Sequence, residues 1–255
     1  MRKASLKEKL QAQELTVGSW ITIGHPSIAE IMATAGFDWL TVDLEHSVIS
    51  LEQAQTLFAI IKSKDMYALA RVTKNEEVVI KKVMDAGADG IIVPMVNSAE
   101  QAKMAVDYVH YPPVGKRGVG LARAQQYGIG FSEYKAWLST EAVVIAQVEH
   151  IDSVNNIEAI IATPGIDGVL IGPYDLSGSL GLAGELEHPL VLAAIQKVRK
   201  ACLDAKVPLG FHVISPEHHK LQEKIDDGFT FLGFSLDFHF LGEKARVEMS
   251  ALKRK

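Results

Sequence analysis

Val143-Val-Ile-Ala-Gln-Val-Glu149 and Asp167-Gly-Val-Leu-Ile-Gly-Pro-Tyr-Asp175 are two apolar runs, each followed closely by an acid. Runs this short and this apolar read as buried strands. Buried strands do not normally finish with carboxylates that point the same way. Two carboxylates at neighbouring strand ends repel one another unless a cation lies between them. Glu149 and Asp175 are therefore expected to ligate a hard divalent metal.

The same rhythm extends in both directions. Candidate strands fall at residues 19–23, 39–42, 67–71, 90–93, 143–148, 168–171, 208–213 and 231–234. Between them run helical periodicities at 51–63, 76–86, 99–108, 154–162, 191–205 and 216–227. Ser98 before Ala99-Glu-Gln offers a helix cap, and Ser215-Pro216-Glu217 reads as a cap followed by an N1 proline. Asp85-Ala-Gly87 and Asp226-Asp-Gly228 read as glycine-containing helix ends leading into strands. This alternation predicts an α/β fold, a single (β/α)8 TIM barrel over residues 1–255. A doubly wound open sheet would usually carry a glycine-rich first βα turn, and Gly24-His-Pro-Ser-Ile lacks that fingerprint. Residues 111–130 exceed the usual length of a connection, which points to a functional or interface segment. Residues 237–255 read as a final helix with a basic tip.

Composition narrows the function. A content of 48% apolar residues is enough for a large core, and a formal charge of −5 argues against a nucleic-acid surface. No apolar run approaches the roughly 20 residues of a membrane span, and Met1-Arg-Lys-Ala-Ser-Leu-Lys has no apolar signal segment. Cys202 is the single cysteine, so no intramolecular disulfide can form, and its helical setting suggests a packed, inert thiol. A soluble, cytoplasmic protein is expected.

In a barrel of this kind the chemistry lies at the C-terminal ends of the strands. The polar residues found there are Asp43, Glu45, His46, Arg71, Gln147, Glu149, Asp175 and His212. Asp43 and His46 can meet in a tight turn, and a carboxylate beside an imidazole fixes its tautomer and raises its basicity. His46 is thus the expected general base. Arg71 closes an apolar strand, so it needs an anion: a substrate oxygen or a neighbouring acid. Gln147 shares a strand face with Glu149 and can hydrogen-bond substrate or a metal-bound water, whereas His150 faces away. Gly172 permits close approach, and the amides around Tyr174 and Asp175 can receive a carboxylate.

Taken together, Asp43-Leu-Glu-His46, Ala70-Arg71-Val72, Asp85-Ala-Gly-Ala-Asp-Gly-Ile-Ile-Val-Pro94, Tyr111-Pro-Pro, Gly115-Lys-Arg-Gly-Val-Gly120, Gln147-Val-Glu149 and Gly172-Pro-Tyr-Asp-Leu-Ser177 make the chain resemble the HpcH/HpaI aldolase family. These are metal-dependent pyruvate aldolases of the phosphoenolpyruvate-binding barrel group. The resemblance implies a (β/α)8 barrel in which Glu149 and Asp175 hold Mg2+, or else Mn2+ or Co2+. It implies cleavage or formation of a 4-hydroxy-2-oxoacid from pyruvate and an aldehyde through a metal-bound pyruvate enolate. His46 with Asp43 would be the base, Arg71 would steady the keto oxygen, Gln147 would support the metal shell, and Asp85 would contact the His46 dyad. Trimers or hexamers with exchanged C-terminal helices would follow. A related lyase, such as an oxaloacetate decarboxylase or a macrophomate-synthase-like enzyme, is the alternative on the same site. Tyr174, His212 and Val114 depart from the residues often found in such proteins, the first two where they would narrow or polarise the aldehyde side.

Overall fold

The computed structural model describes residues 4–252. Residues 253–255, where the basic tip was expected, lie outside the described residues. The eight strands are β1 (Thr16–Ile21), β2 (Trp39–Asp43), β3 (Tyr67–Arg71), β4 (Gly90–Val93), β5 (Val143–Val148), β6 (Gly168–Ile171), β7 (Leu209–Val213) and β8 (Phe231–Leu236). Each pairs in parallel with the next, and β8 returns to β1, so the sheet closes into a barrel. Helices follow the strands and cover the outside, as the alternating pattern predicts.

The barrel interior fills by setting large residues against small ones. Trp39 stacks on Phe231 with ring centroids 4.5 Å apart. Its indole fits only because its β1 partner is Gly18, where a Cβ would come within 2.0 Å of the ring. Gly210 plays the same part for Phe231, since a Cβ there would lie 2.9 Å from that ring. Leu69, Ile92, Val143, Ile145 and Leu170 complete the interior cluster. A second, larger apolar layer lies between the outer strand faces and the helices.

The short helix Leu6–Gln11, which has no counterpart among the expected helices, closes the N-terminal end of the barrel. Ser5 and Glu8 form a reciprocal capping box, and Leu6 and Leu10 join the interior cluster. Lys7 pairs with Asp167 at 3.0 Å and Lys9 with Asp38 at 2.6 Å, tying the helix to the residues that lead into β6 and β2.

Three expected boundaries shift for identifiable reasons. β1 stops at Ile21 because the next two amides, of Thr22 and Ile23, donate to the Asp237 carboxylate at 2.9 and 2.8 Å instead of to a strand. The helix expected at 154–162 is two, Ile151–Asn155 and Ile157–Ile161, broken at Asn156. The helix expected from Pro216 begins at His218, because the Ser215 hydroxyl receives the Glu217 amide in a local turn and caps nothing further along. The final helix is Asp237–Ala251. Among the described residues no helix is long and apolar enough to cross a membrane. Cys202 is buried, and burial pushes its thiol up to about 12, as an inert packed side chain should be.

Gly18→Ala drives a methyl into the Trp39 ring and is expected to lower stability by about 1–3 kcal/mol. Denaturant unfolding of the two proteins checks this; equal midpoints would mean that the ring can yield.

Candidate active site at the barrel mouth

Asp43 and Arg71 end neighbouring strands in direct register. The Arg71 guanidinium donates from Nε to one Asp43 oxygen at 2.9 Å and from a terminal nitrogen to the other at 2.6 Å. Asp43 also accepts the backbone amides of Glu45 (3.1 Å) and His46 (3.3 Å). Burial alone would push this carboxyl up, but the hydrogen bonds and charge of Arg71, aided by those amides, outweigh it and hold the group below its ordinary range. Arg71 is raised in turn, its pairing with Asp43 outweighing its burial. The guanidinium lies 4.6 Å from the Trp20 ring centroid, so a cation–π contact supports it from the barrel interior.

This geometry corrects the expected Asp43–His46 dyad. Asp43 reaches the backbone of His46, while its carboxylate is committed to Arg71. The His46 side chain stands 64% exposed at the rim, with Nε2 4.0 Å from Glu45. Glu45 also lies 3.4 Å from Arg71 Nε. Burial raises its carboxyl, Arg71 opposes, and the charges of Asp43 and Asp175 add to the rise.

Glu149 is almost fully buried beyond the end of β5. One oxygen accepts the Met95 amide at 2.6 Å and the other accepts the Gln147 side-chain amide. Burial pushes this carboxyl up to about 7, and the charges of Glu45 and Asp175 contribute to the rise. Gly172 faces the pair so closely that a Cβ there would be 3.1 Å from a Glu149 oxygen and 3.2 Å from the Gln147 nitrogen. The Gln147 oxygen is buried with no hydrogen-bond partner among the described residues. Asp175 occupies the first turn of the short helix Pro173–Ser179.

These donors suit a hard divalent cation. Glu149 and Asp175 are both carboxylates, the charge of Asp175 adds to the rise of the Glu149 carboxyl, and an orphaned amide oxygen lies beside Glu149. Among the described residues no three His, Cys, Asp or Glu side chains converge as a complete metal cage. Mg2+ needs none, because it is usually held by one or two carboxylates while water and substrate oxygens fill the remaining positions.

A cavity of about 270 Å3 opens at this end of the barrel. Asp43, His46, Arg71, Gln147, Gly172, Tyr174, Asp175 and His212 all line it, and Glu149 lies against Gln147 and Gly172. Tyr174 and His212 thus face the cavity and do not pack outside it. The sequence reading missed Trp20, Thr22, Leu236 and Phe238, which also line the walls. Trp20 was hidden inside an apolar strand, where only its inward direction distinguishes it. A more open cleft of about 670 Å3 lies at the opposite end, beside a Lys62–Asp89 pair 2.6 Å apart, away from the strand ends that carry the polar cluster.

Asp85 does not reach the His46 region of the same chain. It sits in the last turn of the helix Glu77–Ala86, at the opposite end of the barrel, 3.5 Å from Arg117. Arg117 is fully buried between the rings of Tyr111 and Tyr134, at 4.3 and 5.4 Å, and anchors the 111–130 segment, none of which lines the cavity. His150 caps the helix Ile151–Asn155 through its ring nitrogen.

Comparison with known proteins agrees with the barrel fold. Residues 16–242 match the family model described as HpcH/HpaI aldolase/citrate lyase. The chain is 37% identical to a hydroxypyruvate/pyruvate aldolase of Roseobacter denitrificans, over 93% of this chain and 92% of that one. It is 36% identical to a 4-hydroxy-2-oxovalerate aldolase of Novosphingobium aromaticivorans, over 91% and 88%. The crystal structure of a HpcH/HpaI aldolase/citrate lyase family protein from Burkholderia cenocepacia superposes with a TM-score of 0.91 at 30% identity, covering 96% of this chain and 97% of that one.

Asp43→Asn removes the negative partner of a buried guanidinium and is expected to cost about 3–5 kcal/mol near neutral pH. Because the folded carboxyl lies below its ordinary value of 3.8, the charged group stabilises the fold fully above that pH. Its contribution is lost as the pH falls through the folded value. The stability gap between the two proteins should therefore stay level at higher pH and close below about 3.8. A gap that persists undiminished in acid would show that the ion pair is not its source.

Proposed function

The chain belongs to the HpcH/HpaI aldolase/citrate lyase family, and on that premise we propose that it is a carbon–carbon lyase that joins pyruvate to an aldehyde and reverses the reaction. The observation that carries the reading is the single cavity in which Arg71, His46, Gln147 and Asp175 converge beside the buried Glu149. The names of its relatives, a hydroxypyruvate/pyruvate aldolase and a 4-hydroxy-2-oxovalerate aldolase, support a 2-oxoacid on one side and an aldehyde on the other.

In the forward direction His46 takes a proton from the C3 methyl of pyruvate and keeps it for the aldehyde oxygen. C3 then bonds to the aldehyde carbonyl carbon, and the aldehyde oxygen takes up a proton to become the 4-hydroxyl. Cleavage runs the same steps backwards. The electron pair released at C3 delocalises onto the keto oxygen, and that negative charge sets the demand on the site. Arg71 supplies a fixed positive charge whose position is set by Asp43 and Trp20 before any substrate arrives. Glu149 and Asp175 would hold a divalent cation, Mg2+ first and Mn2+ or Co2+ as relatives, which would supply Lewis-acid stabilisation of the same oxygen. Gln147 orients Glu149 through its amide nitrogen and keeps its oxygen for a ligand. His46, exposed at the rim beside Glu45, is the group free to take and return the proton of the 4-hydroxyl. Gly172 leaves room for a small ketoacid to lie against the acids.

We also infer that copies of the chain assemble, as trimers or pairs of trimers. The final helix leaves Leu241, Val247 and Met249 about half exposed or more. The 111–130 segment does the same with Leu121, Tyr127 and Ile129. Large apolar side chains left exposed on two segments support contact surfaces there.

Glu149→Ala and Asp175→Ala are expected to abolish aldol turnover and Mn2+ binding by calorimetry while the circular dichroism spectrum is kept. Full turnover after chelator treatment of either variant would defeat the assignment. His46→Ala should keep pyruvate binding and lose aldol cleavage by about 100-fold or more. Turnover equal to wild type would remove it as the base. A panel of aldehydes with pyruvate, run with and without Mg2+ or Mn2+, tests the reaction itself. Release of carbon dioxide from oxaloacetate without any aldehyde condensation would favour a decarboxylase instead.

A further inference from the structure

Beyond the Arg71 and Asp175 end, the cavity is walled by His212, Trp20, Tyr174, Thr22, Ile214 and Phe238. Most of the polar groups on this wall are committed elsewhere or open to water. The Thr22 hydroxyl donates to Asp237 at 2.6 Å, and Tyr174 is half exposed. His212 differs. Its Nε2 lies 3.3 Å from the Ser235 carbonyl. A carbonyl oxygen only accepts, so Nε2 carries the proton and, in the neutral ring, Nδ1 is left as an acceptor.

The ring's orientation follows from its contacts. Nε2 is turned to Ser235, and Cδ2 would lie 3.5 Å from a Cβ on Gly233, so the Nε2–Cδ2 edge faces β8. Nδ1 is the ring atom opposite that edge. It points away from β8, towards the β6 side that carries Gly172 and Tyr174, and it has no partner among the described residues. The ring cannot turn freely, because it packs against Trp20 with centroids 4.9 Å apart. Burial, with the nearby Arg71 charge adding, pushes the imidazole down to about 4 despite the Ser235 contact and the charge of Asp43, so it is neutral near pH 7. The Trp20 Nε1–H also has no partner among the described residues, but it is buried against Gly233 and is not offered to the cavity. A wall that keeps an unpartnered ring acceptor favours a ligand that brings a hydroxyl donor over a purely apolar one.

We propose that His212 is a specificity-determining residue whose Nδ1 accepts a hydrogen bond from a hydroxyl of the aldehyde, so that the acceptor substrates are short hydroxyaldehydes and not their unsubstituted counterparts. This rests on the pyruvate-aldolase reading above. Nδ1 takes no part in the bond-making steps; it selects which aldehyde sits well enough to react.

The test compares kcat/KM for glycolaldehyde with that for acetaldehyde, each with pyruvate and Mg2+, in wild type, His212→Phe and His212→Asn. Phenylalanine keeps a ring against Trp20 without either nitrogen. Asparagine can offer an acceptor oxygen near the Nδ1 position. Wild type should prefer glycolaldehyde, His212→Phe should shrink that preference by about tenfold, and His212→Asn should retain most of it. An unchanged preference in a folded His212→Phe protein, or no preference in wild type, overturns the proposal. If the phenylalanine variant does not fold, His212→Leu serves in its place under the same criteria. Exchange of the pyruvate C3 protons with deuterium, followed by NMR on the wild type, separates the two levels. Exchange without an aldehyde preference sinks the role of His212 alone. No exchange with any of the three metals, together with no condensation, sinks the aldolase reading and this proposal with it.

Discussion

A guanidinium inside a barrel mouth needs a fixed counter-charge, and in this protein the pairing of Arg71 with Asp43 supplies it. The pair joins the ends of β2 and β3 in register. It also shapes what lies beyond the strands, since Asp43 takes the amides of Glu45 and His46 and thereby sets the turn that presents both side chains. Below it, Trp20 receives the face of Arg71 and packs against His212 on the other side of the barrel. One ion pair thus links the charged end of the cavity to the wall that would meet the second substrate. Removing Asp43 would leave Arg71 with only the looser Glu45 contact, and removing Arg71 would leave the buried Asp43 carboxylate without its paired cation.

The acids pose the opposite problem. Glu149, Asp175 and Glu45 are close enough for their charges to act on one another, and burial makes the ionised form of Glu149 costly. A structural role would call for basic partners or for solvent. Glu149 instead receives one backbone amide and the Gln147 side chain, both neutral donors. These contacts orient the carboxylate without neutralising it, while the Arg71 charge acts on it from beyond hydrogen-bond reach. The small residue Gly172 over the same two side chains keeps the space open.

Much of this was legible in the chain. The apolar runs of β3, β4, β5 and β6 have the boundaries their sequences suggest, because a strand buried on both faces must be apolar throughout and must stop where polar residues begin. Arg71 and Gln147, near the ends of β3 and β5, and Asp175 beyond β6 are among the residues that meet in the cavity. The misses share a cause. β1 ends early because Asp237, far along the chain, takes its next amides. Ser215 had the composition of a helix cap but spends its hydroxyl in a local turn. Asp43 and His46 stand three residues apart and suggested a dyad, yet Arg71, 28 residues beyond Asp43, holds that carboxylate more strongly than an imidazole at the rim. Asp85 lay within a matched stretch, and the helix that carries it delivers it to the other end of the barrel.

The sequence by itself determined the alternation of strands and helices, the closure into a barrel, the end at which the chemistry would lie and the residue types found there. Each of these depends on local pattern and on the cost of burying polar groups, both of which can be read along the chain. Tertiary structure alone decided which acid pairs with which cation, which nitrogen of His212 is left free, and that Trp20 forms the floor between them. These depend on distances between residues far apart in the chain. Electrostatic and hydrogen-bond energies fall off over a few ångströms, so an approach that sequence order does not encode settles the outcome.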